Sequence, residues 1–246
     1  MPGFMPGILL LGRGMNCPKC EKPVSAGALE CPHCGIVFSK YEARLNRQQE
    51  LEREQSFKSL SRHGTSSFPA IGQGLVLMIL IYFSWQVIPV SISSNAAGNS
   101  FMHLINLPFH EAGHVVFRLF GRFIHSLGGS LGQLIMPLVC FFVLLFKTRD
   151  AFGATVCIWW FGENFVDMAP YMNDARSLSL PLVGGNFGFS SPYGFHDWEF
   201  LLTESGLLHY DHAIAKTSHI LGSTLMLGSI GWAAFMMLRQ WRAERG

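Results

Sequence analysis

Charged residues are scarce in this sequence. Asp, Glu, Lys and Arg make up 14% of its 246 residues, whereas soluble domains typically contain about 25%. Hydrophobic residues make up 49%, so the composition argues against an ordinary soluble domain and favours a membrane protein. The formal net charge is only +2, and the basic residues of 40–62 are interleaved with glutamates. A nucleic-acid partner is therefore not expected.

A secretory signal peptide is not expected either. The opening stretch, MPGFMPGILLLGRG, has no basic n-region, and its apolar run, Ile8 to Leu11, is far shorter than the apolar region of a signal peptide. We expect residues 1–15 to form a disordered extension. Because Met15 opens the first motif, "MNCPKC", we also expect the natural chain to start there.

Cysteine is rare, but four of the six cysteines form two closely spaced pairs, Cys17 with Cys20 and Cys31 with Cys34. Two C-x2-C turns together supply the four thiolates of a tetrahedral structural zinc site. Two disulfides or free thiols are the alternatives, and the lack of a secretory signal argues against disulfides. The stretch 16–41 resembles a bacterial zinc ribbon.

Charge density divides the rest of the chain. Residues 42–67 are rich in Glu, Arg and Gln, which predicts a polar helix or linker, and residues 68–246 are mostly apolar. Four apolar runs are candidate membrane spans of roughly 20 residues: Pro69–Val90, Leu127–Phe146, Ala151–Met172 and His212–Leu238. A shorter fifth segment lies between the first two. The sequence thus predicts an all-α polytopic membrane domain with four to five apolar segments, preceded by a zinc-ribbon module.

The short fifth segment carries the most unusual polar residues. Asn106 is expected to cap a helix that has Pro108 in its first turn and ends at Gly121. His110 and His114 are four residues apart, so they share one helix face, and Glu111 follows the first histidine. This is the H-E-x-x-H pattern, in which two imidazoles bind zinc and the glutamate acts as a general base.

Small residues near this motif predict close helix packing. Gly113 leaves room for another backbone, and Gly128, Gly129 and Gly132 allow tight contact between helices. Gln133 could orient a substrate backbone or form a hydrogen bond across helices.

A catalytic zinc site needs a third protein ligand and an open position. If Ala151–Asp174 is helical, four polar residues form one stripe on an otherwise apolar helix: Asn164, Asp167, Tyr171 and Asp174. His196 and Asp197, beyond a glycine-rich stretch, are further candidates if that stretch folds back to the zinc.

The chain resembles the site-2 protease class of intramembrane zinc metalloproteases. The resemblance rests on H-E-x-x-H and on N-F-V-D-M-A-P-Y-M-N-D-A from Asn164 to Ala175, where the family often has N-x-x-P-x-P-x-x-D-G. It implies zinc binding by His110, His114 and Asp174, with Glu111 as the base. Asp167, on the same polar stripe, is the reserve candidate for the third ligand. The D-A in place of D-G, the reduced prolines and the longer interval depart from the family pattern.

The resemblance implies hydrolysis of a peptide bond in or near a membrane segment of a protein substrate. One alternative is a non-catalytic membrane scaffold or metal sensor that uses the ribbon for docking. A transporter or haem-binding protein is a third interpretation.

The distribution of basic residues predicts the topology. Lys40 to Arg62 precede the first span, so the positive-inside rule places the ribbon in the cytosol, and the expected location is a bacterial inner membrane. The lipid bilayer and a membrane-protein substrate are the expected partners. Arg239 to Arg245 favour the same side for the C-terminus, so the short His110 segment is expected to enter the membrane without crossing it.

Overall fold

The computed structural model describes residues 15–25, 27–62 and 70–245. The chain divides into two compact units, Met1–Arg62 and His63–Gly246. The predicted extension before Met15 and the end of the predicted linker, residues 63–67, lie outside the described residues.

The N-terminal unit is a small cysteine-centred module followed by a helix. Strands β1 (Met15–Asn16) and β2 (Pro23–Val24) pair antiparallel, and the two cysteine turns pack together with Val24 in a small core. Helix α1 spans Phe38–Arg62. Its sequence is rich in Glu, Arg and Gln, residues that favour a helix.

The second unit is helical. Its helices are α2 (Ala70–Val87), α3 (Phe101–Phe117), α4 (Arg122–Phe142), α5 (Ala151–Asn173), α6 (Asp197–Glu204) and α7 (Asp211–Arg245). A π-helical turn, Val143–Thr148, extends α4. Helix α5 begins at a conventional cap, since the Asp150 carboxylate accepts a hydrogen bond from the Gly153 amide at 2.9 Å.

Helix α3 begins earlier than the sequence predicts. Ser100, not Asn106, is its N-cap, and the Ser100 hydroxyl accepts a hydrogen bond from the His103 amide. Asn106 is fully buried inside the helix, and Pro108 lies in its interior. The prediction of a cap at Asn106 was wrong because its amide is used for tertiary hydrogen bonds to α5, which short-range sequence patterns do not reveal.

Within the described residues, three helical segments are long and apolar enough to span a membrane: Ala70–Val87, Arg122–Thr148 and Leu208–Arg242. This is consistent with an integral membrane protein. The predicted run Ala151–Met172 does form α5, but that helix is largely buried among the others and carries several buried polar residues. The prediction of four to five apolar spans is thus not confirmed beyond three.

Glycines bring the helices into close contact. Helix α5 packs along α7, where a Cβ on Gly162 would lie 2.8 Å from the Gly222 carbonyl oxygen. Helix α3 packs on α4 in the same manner, because Gly113 and Gly132 each face backbone atoms of the opposite helix with no room for a Cβ. The close packing expected of these glycines is confirmed, and it places the H-E-x-x-H motif directly against α4.

Candidate metal centres

The four cysteines of the N-terminal unit converge on one point. Cys17 Sγ lies 3.7 Å from Cys34 Sγ, and Cys20 Sγ lies 3.7 Å from Cys31 Sγ. Four sulfur atoms at 2.3 Å from a tetrahedral zinc are about 3.8 Å apart, so the spacing fits a metal ion. Among the described residues this is one of two groups with the donors and spacing of a metal site.

Local turns build this cluster. The amide of Glu21 donates to the Cys17 carbonyl at 2.8 Å, and the amide of Gly35 donates to the Cys31 carbonyl at 2.8 Å. Gly35 has a φ of 69°, a left-handed conformation that glycine adopts without strain. Each C-x2-C turn therefore presents its two thiols toward the same centre.

The second group combines the two motif histidines with an aspartate from α6. His110 Nε2 and His114 Nε2 each lie 3.1 Å from Asp197 Oδ2. Ligand atoms about 2.0–2.1 Å from a tetrahedral zinc are roughly 3.3 Å apart, so this spacing also fits a metal ion. Two imidazoles and one carboxylate leave a fourth position open.

The second nitrogen of each histidine is hydrogen-bonded to an acceptor on α4. His114 Nδ1 donates to the His125 carbonyl at 2.8 Å, and His110 Nδ1 lies 3.3 Å from Gln133 Oε1. Since these oxygens accept, each Nδ1 carries a proton, and each Nε2 faces Asp197, the position from which it could bind a metal once deprotonated. The ring orientations are therefore set before any ion binds.

Asp197 is fixed from the other side. The Ser126 hydroxyl donates to Asp197 Oδ1 at 2.7 Å, which leaves Oδ2 to face the histidines. Burial raises the pKa of the Asp197 carboxyl, but hydrogen bonds from His110 and His114 outweigh this and hold the pKa well below its usual range. Asp197 is thus an ionised carboxylate at neutral pH, the form that binds a metal.

Gly129 makes room for the ligand atoms. A Cβ at this position would lie 2.5 Å from His110 Nε2 and 2.6 Å from His114 Nε2. Any side chain here would displace the imidazoles, so the glycine serves the histidine pair as well as helix packing.

A cavity of about 600 Å³ opens beside the three ligands. Glu111 lines it and is exposed. In the described part of the chain, no ion pair or side-chain hydrogen bond engages its carboxylate. Other lining residues come from several helices and from the loop before α6: His103, Leu107, His110, His114, Arg122, Tyr171, Tyr193, Phe195 and Asp197.

Asp174, the third ligand implied by the resemblance, does not join the histidines. Its carboxylate caps the turn after α5, accepting hydrogen bonds from the Ser177 hydroxyl and from the amides of Ser179 and Leu180. The place expected for Asp174 is taken by Asp197, which the sequence offered as an alternative. Family spacing favoured Asp174, whereas the loop that returns Asp197 to α3 has no recognisable short-range pattern.

His196 and Asp167 also lie apart from the ligand set. His196 Nδ1 accepts a hydrogen bond from the Glu199 amide and caps α6, while His196 Nε2 lies 3.5 Å from Asp174 Oδ2. Asp167 Oδ1 lies 2.9 Å from His103 Nδ1. His196 therefore supports the helix that carries Asp197, and Asp167 belongs to a different polar cluster.

That cluster joins α3 to α5. The Asn106 amide group donates to Glu163 Oε2 at 2.8 Å and to Asp167 Oδ2 at 3.0 Å, and its oxygen accepts from the Trp160 indole at 2.8 Å. Because an indole only donates, the amide orientation is fixed. The NH2 group then lies between the Glu163 and Asp167 carboxyl groups.

Sequence reasoning missed part of the site. Ser126 and the His125 carbonyl had no visible signal, because a serine and a backbone oxygen become informative only when their partners are known. Gln133 was noted as a possible hydrogen-bonding residue, and its contact with His110 shows which partner it has. All three lie on α4, the helix that faces the motif.

The chain was compared with protein-family models, curated proteins and solved structures, and none of the three comparisons found a match.

Proposed function

We propose that the helical unit is an intramembrane zinc metallopeptidase that hydrolyses a peptide bond in or near a membrane segment of a protein substrate. The observation that carries the proposal is the convergence of His110, His114 and Asp197 at a cavity that Glu111 also lines. Two histidines and one carboxylate, with an open fourth position and a glutamate nearby, suit a hydrolytic zinc site rather than a closed structural one.

In this proposal His110, His114 and Asp197 hold the zinc ion. A bound zinc supplies a Lewis acid that polarises a carbonyl group and makes water more acidic. Glu111 takes a proton from the attacking water and passes it to the leaving amine nitrogen. Because no described residue forms an ion pair or a side-chain hydrogen bond with the Glu111 carboxylate, it is available for this proton transfer.

The N-terminal cysteines hold a second, structural zinc. A closed four-sulfur site leaves no open position for substrate, so we assign this zinc to folding of the ribbon. The cell compartment proposed is a bacterial inner membrane with the ribbon in the cytosol, where thiols stay reduced.

Zinc content and peptide cleavage test the proposal together. Detergent-purified wild type should carry about two zinc ions per chain, and His110→Ala about one, because only the helical site loses a ligand. Glu111→Gln should keep both ions and lose cleavage of membrane-segment peptides, since Gln cannot accept the proton.

Two results would contradict the assignment. Equal zinc in wild type and His110→Ala would remove the helical metal site. Full zinc without any cleavage that depends on Glu111 would instead favour the alternative of a scaffold or metal sensor.

A further inference from the structure

Among the described residues that line the cavity beside the metal ligands, Arg122 is the only Arg or Lys. It lies at the start of α4. Within the described ranges no carboxylate lies within ion-pair distance of its guanidinium. The cavity thus holds a positive charge without a direct ion-pair partner, and Glu111, Asp167 and Asp197 line the same cavity.

The guanidinium is held in place without using up its hydrogen-bonding capacity. Arg122 Nη2 donates to the Tyr193 carbonyl at 3.0 Å, and Cζ lies 4.7 Å from the centroid of the Phe200 ring. A guanidinium has five N–H donors, so most remain free for a ligand. Aromatic stacking stabilises the cation while leaving its edge available.

Gly194 permits this arrangement. It has a φ of 89°, and a Cβ there would lie 2.5 Å from Arg122 Nη2. The loop backbone therefore passes against the guanidinium where a side chain would displace it. A cation fixed in advance loses little side-chain freedom when an anion binds.

Two short connections limit the distance from Arg122 to the metal ligands. Ser126, which hydrogen-bonds to Asp197, lies four residues after Arg122 in α4, an axial distance of about 6 Å. Tyr193 is also only four residues before Asp197. An extended peptide advances roughly 3.4 Å per residue, so a group one or two residues from the cleaved bond would reach Arg122.

We propose that Arg122 binds a substrate carboxylate located one or two residues from the cleaved peptide bond. The carboxylate is either the C-terminus of the substrate chain or an acidic side chain, because a planar guanidinium pairs with both in the same bidentate manner. This inference rests on the proposed peptidase function and adds the chemical class of its substrate.

The experiment uses three apolar peptides of one core sequence: one with a free C-terminus, one amidated, and one amidated with a Glu next to the C-terminus. The full-length protein in detergent is tested as wild type, Arg122→Met and Arg122→Lys. Arg118→Met is the matched control, since Arg118 is exposed and does not line the cavity. Zinc content and melting temperature are measured on each variant.

Wild type and Arg118→Met should cleave one or both carboxylate peptides with a kcat/KM about 10- to 100-fold above that of the amidated peptide, as expected for a charged hydrogen bond. Arg122→Met should erase this preference, mainly through KM, with zinc unchanged. Arg122→Lys should keep part of it. The two carboxylate peptides distinguish a C-terminal from a side-chain source.

Equal cleavage of all three peptides by wild type would overturn the inference and leave the proposed peptidase function standing. A preference for the carboxylate peptides that survives in Arg122→Met would have the same consequence. Binding of the labelled peptides to Glu111→Gln separates the two failures. If wild type cleaves no peptide, the binding measurement decides. Tighter binding of the carboxylate peptides that requires Arg122 supports the anion site. Equal binding of all three peptides overturns it.

Discussion

The two candidate metal centres are built in opposite ways. In the ribbon, the thiols of Cys17 and Cys34 are 17 residues apart in sequence, and local turns bring all four sulfurs together. In the helical unit, His110 meets a ligand 87 residues away, and a third element, α4, orients both. We therefore expect the short-range site to depend on its metal for folding, and the long-range site to be arranged by helix packing.

This difference follows from the size of each core. The buried hydrophobic core of the ribbon consists of Cys17, Val24 and Cys31, too little apolar area to offset the entropy of ordering the chain. The helical unit has a separate core that includes Trp159, Val166 and Met226. None of the three candidate metal ligands of this unit belongs to that core.

The largest expected effect comes from breaking each centre in turn. Cys20→Ser should lose one zinc and unfold the ribbon, because metal binding supplies its folding free energy. His110→Ala should lose the other zinc and leave the helical unit folded. Zinc analysis combined with limited proteolysis measures both, and a ribbon that resists protease after Cys20→Ser would contradict the comparison.

The second-largest effect should come from filling the space beside the histidine ligands rather than from removing a ligand. Gly129→Ala should remove most zinc from the helical centre, because the added methyl group would lie against both ligand nitrogens. Gly228→Ala is the matched control, since the space around that glycine is open. Zinc content and peptide cleavage should both fall in Gly129→Ala and stay unchanged in Gly228→Ala. Full zinc content in Gly129→Ala would show that the histidines do not bind zinc at this position.

The two centres also differ in how many of their ligands could be predicted from the sequence. The four cysteines, and His110 with His114, were predictable because regular turns and helices fix their spacing. Asp197 was only one of several candidates, because its position depends on how residues 174–196 return to α3. Helix α5 was predictable as a helix, but its near-complete burial depends on neighbours that periodicity does not identify.

A smaller effect tests whether α4 sets the geometry of the helical centre. Gln133→Ala and Ser126→Ala each remove one partner of a ligand while keeping all three ligands. Zinc affinity should fall about 10- to 100-fold in each. Competition with a chromogenic chelator measures this, and ribbon zinc serves as the internal reference. Unchanged affinity in both variants would mean that the ligands orient themselves.

The smallest effect on zinc should come from Asp174→Asn, although its effect on folding is measurable. An Asn oxygen can still accept hydrogen bonds, but its NH2 group would oppose either the Ser179 or the Leu180 amide. One amide then loses its partner, at a cost of about 1–3 kcal/mol. Zinc content should stay at the wild-type level. Glu204→Gln, at an exposed position, is the control for removing one negative charge.

The pH dependence sharpens this last test. Burial raises the pKa of the Asp174 carboxyl, but the nearby His196 imidazole and hydrogen bonds from Ser177 and the amides of Leu180 and Ser179 outweigh it, so the pKa lies well below its usual range. A lowered folded-state pKa contributes stability that is fully present above the unfolded pKa of about 3.9 and is lost as pH falls toward the folded value. The melting-temperature difference between wild type and Asp174→Asn should therefore be constant near neutral pH and shrink below about pH 4. Loss of zinc in Asp174→Asn at neutral pH, with Asp197→Asn silent, would return the third ligand to Asp174.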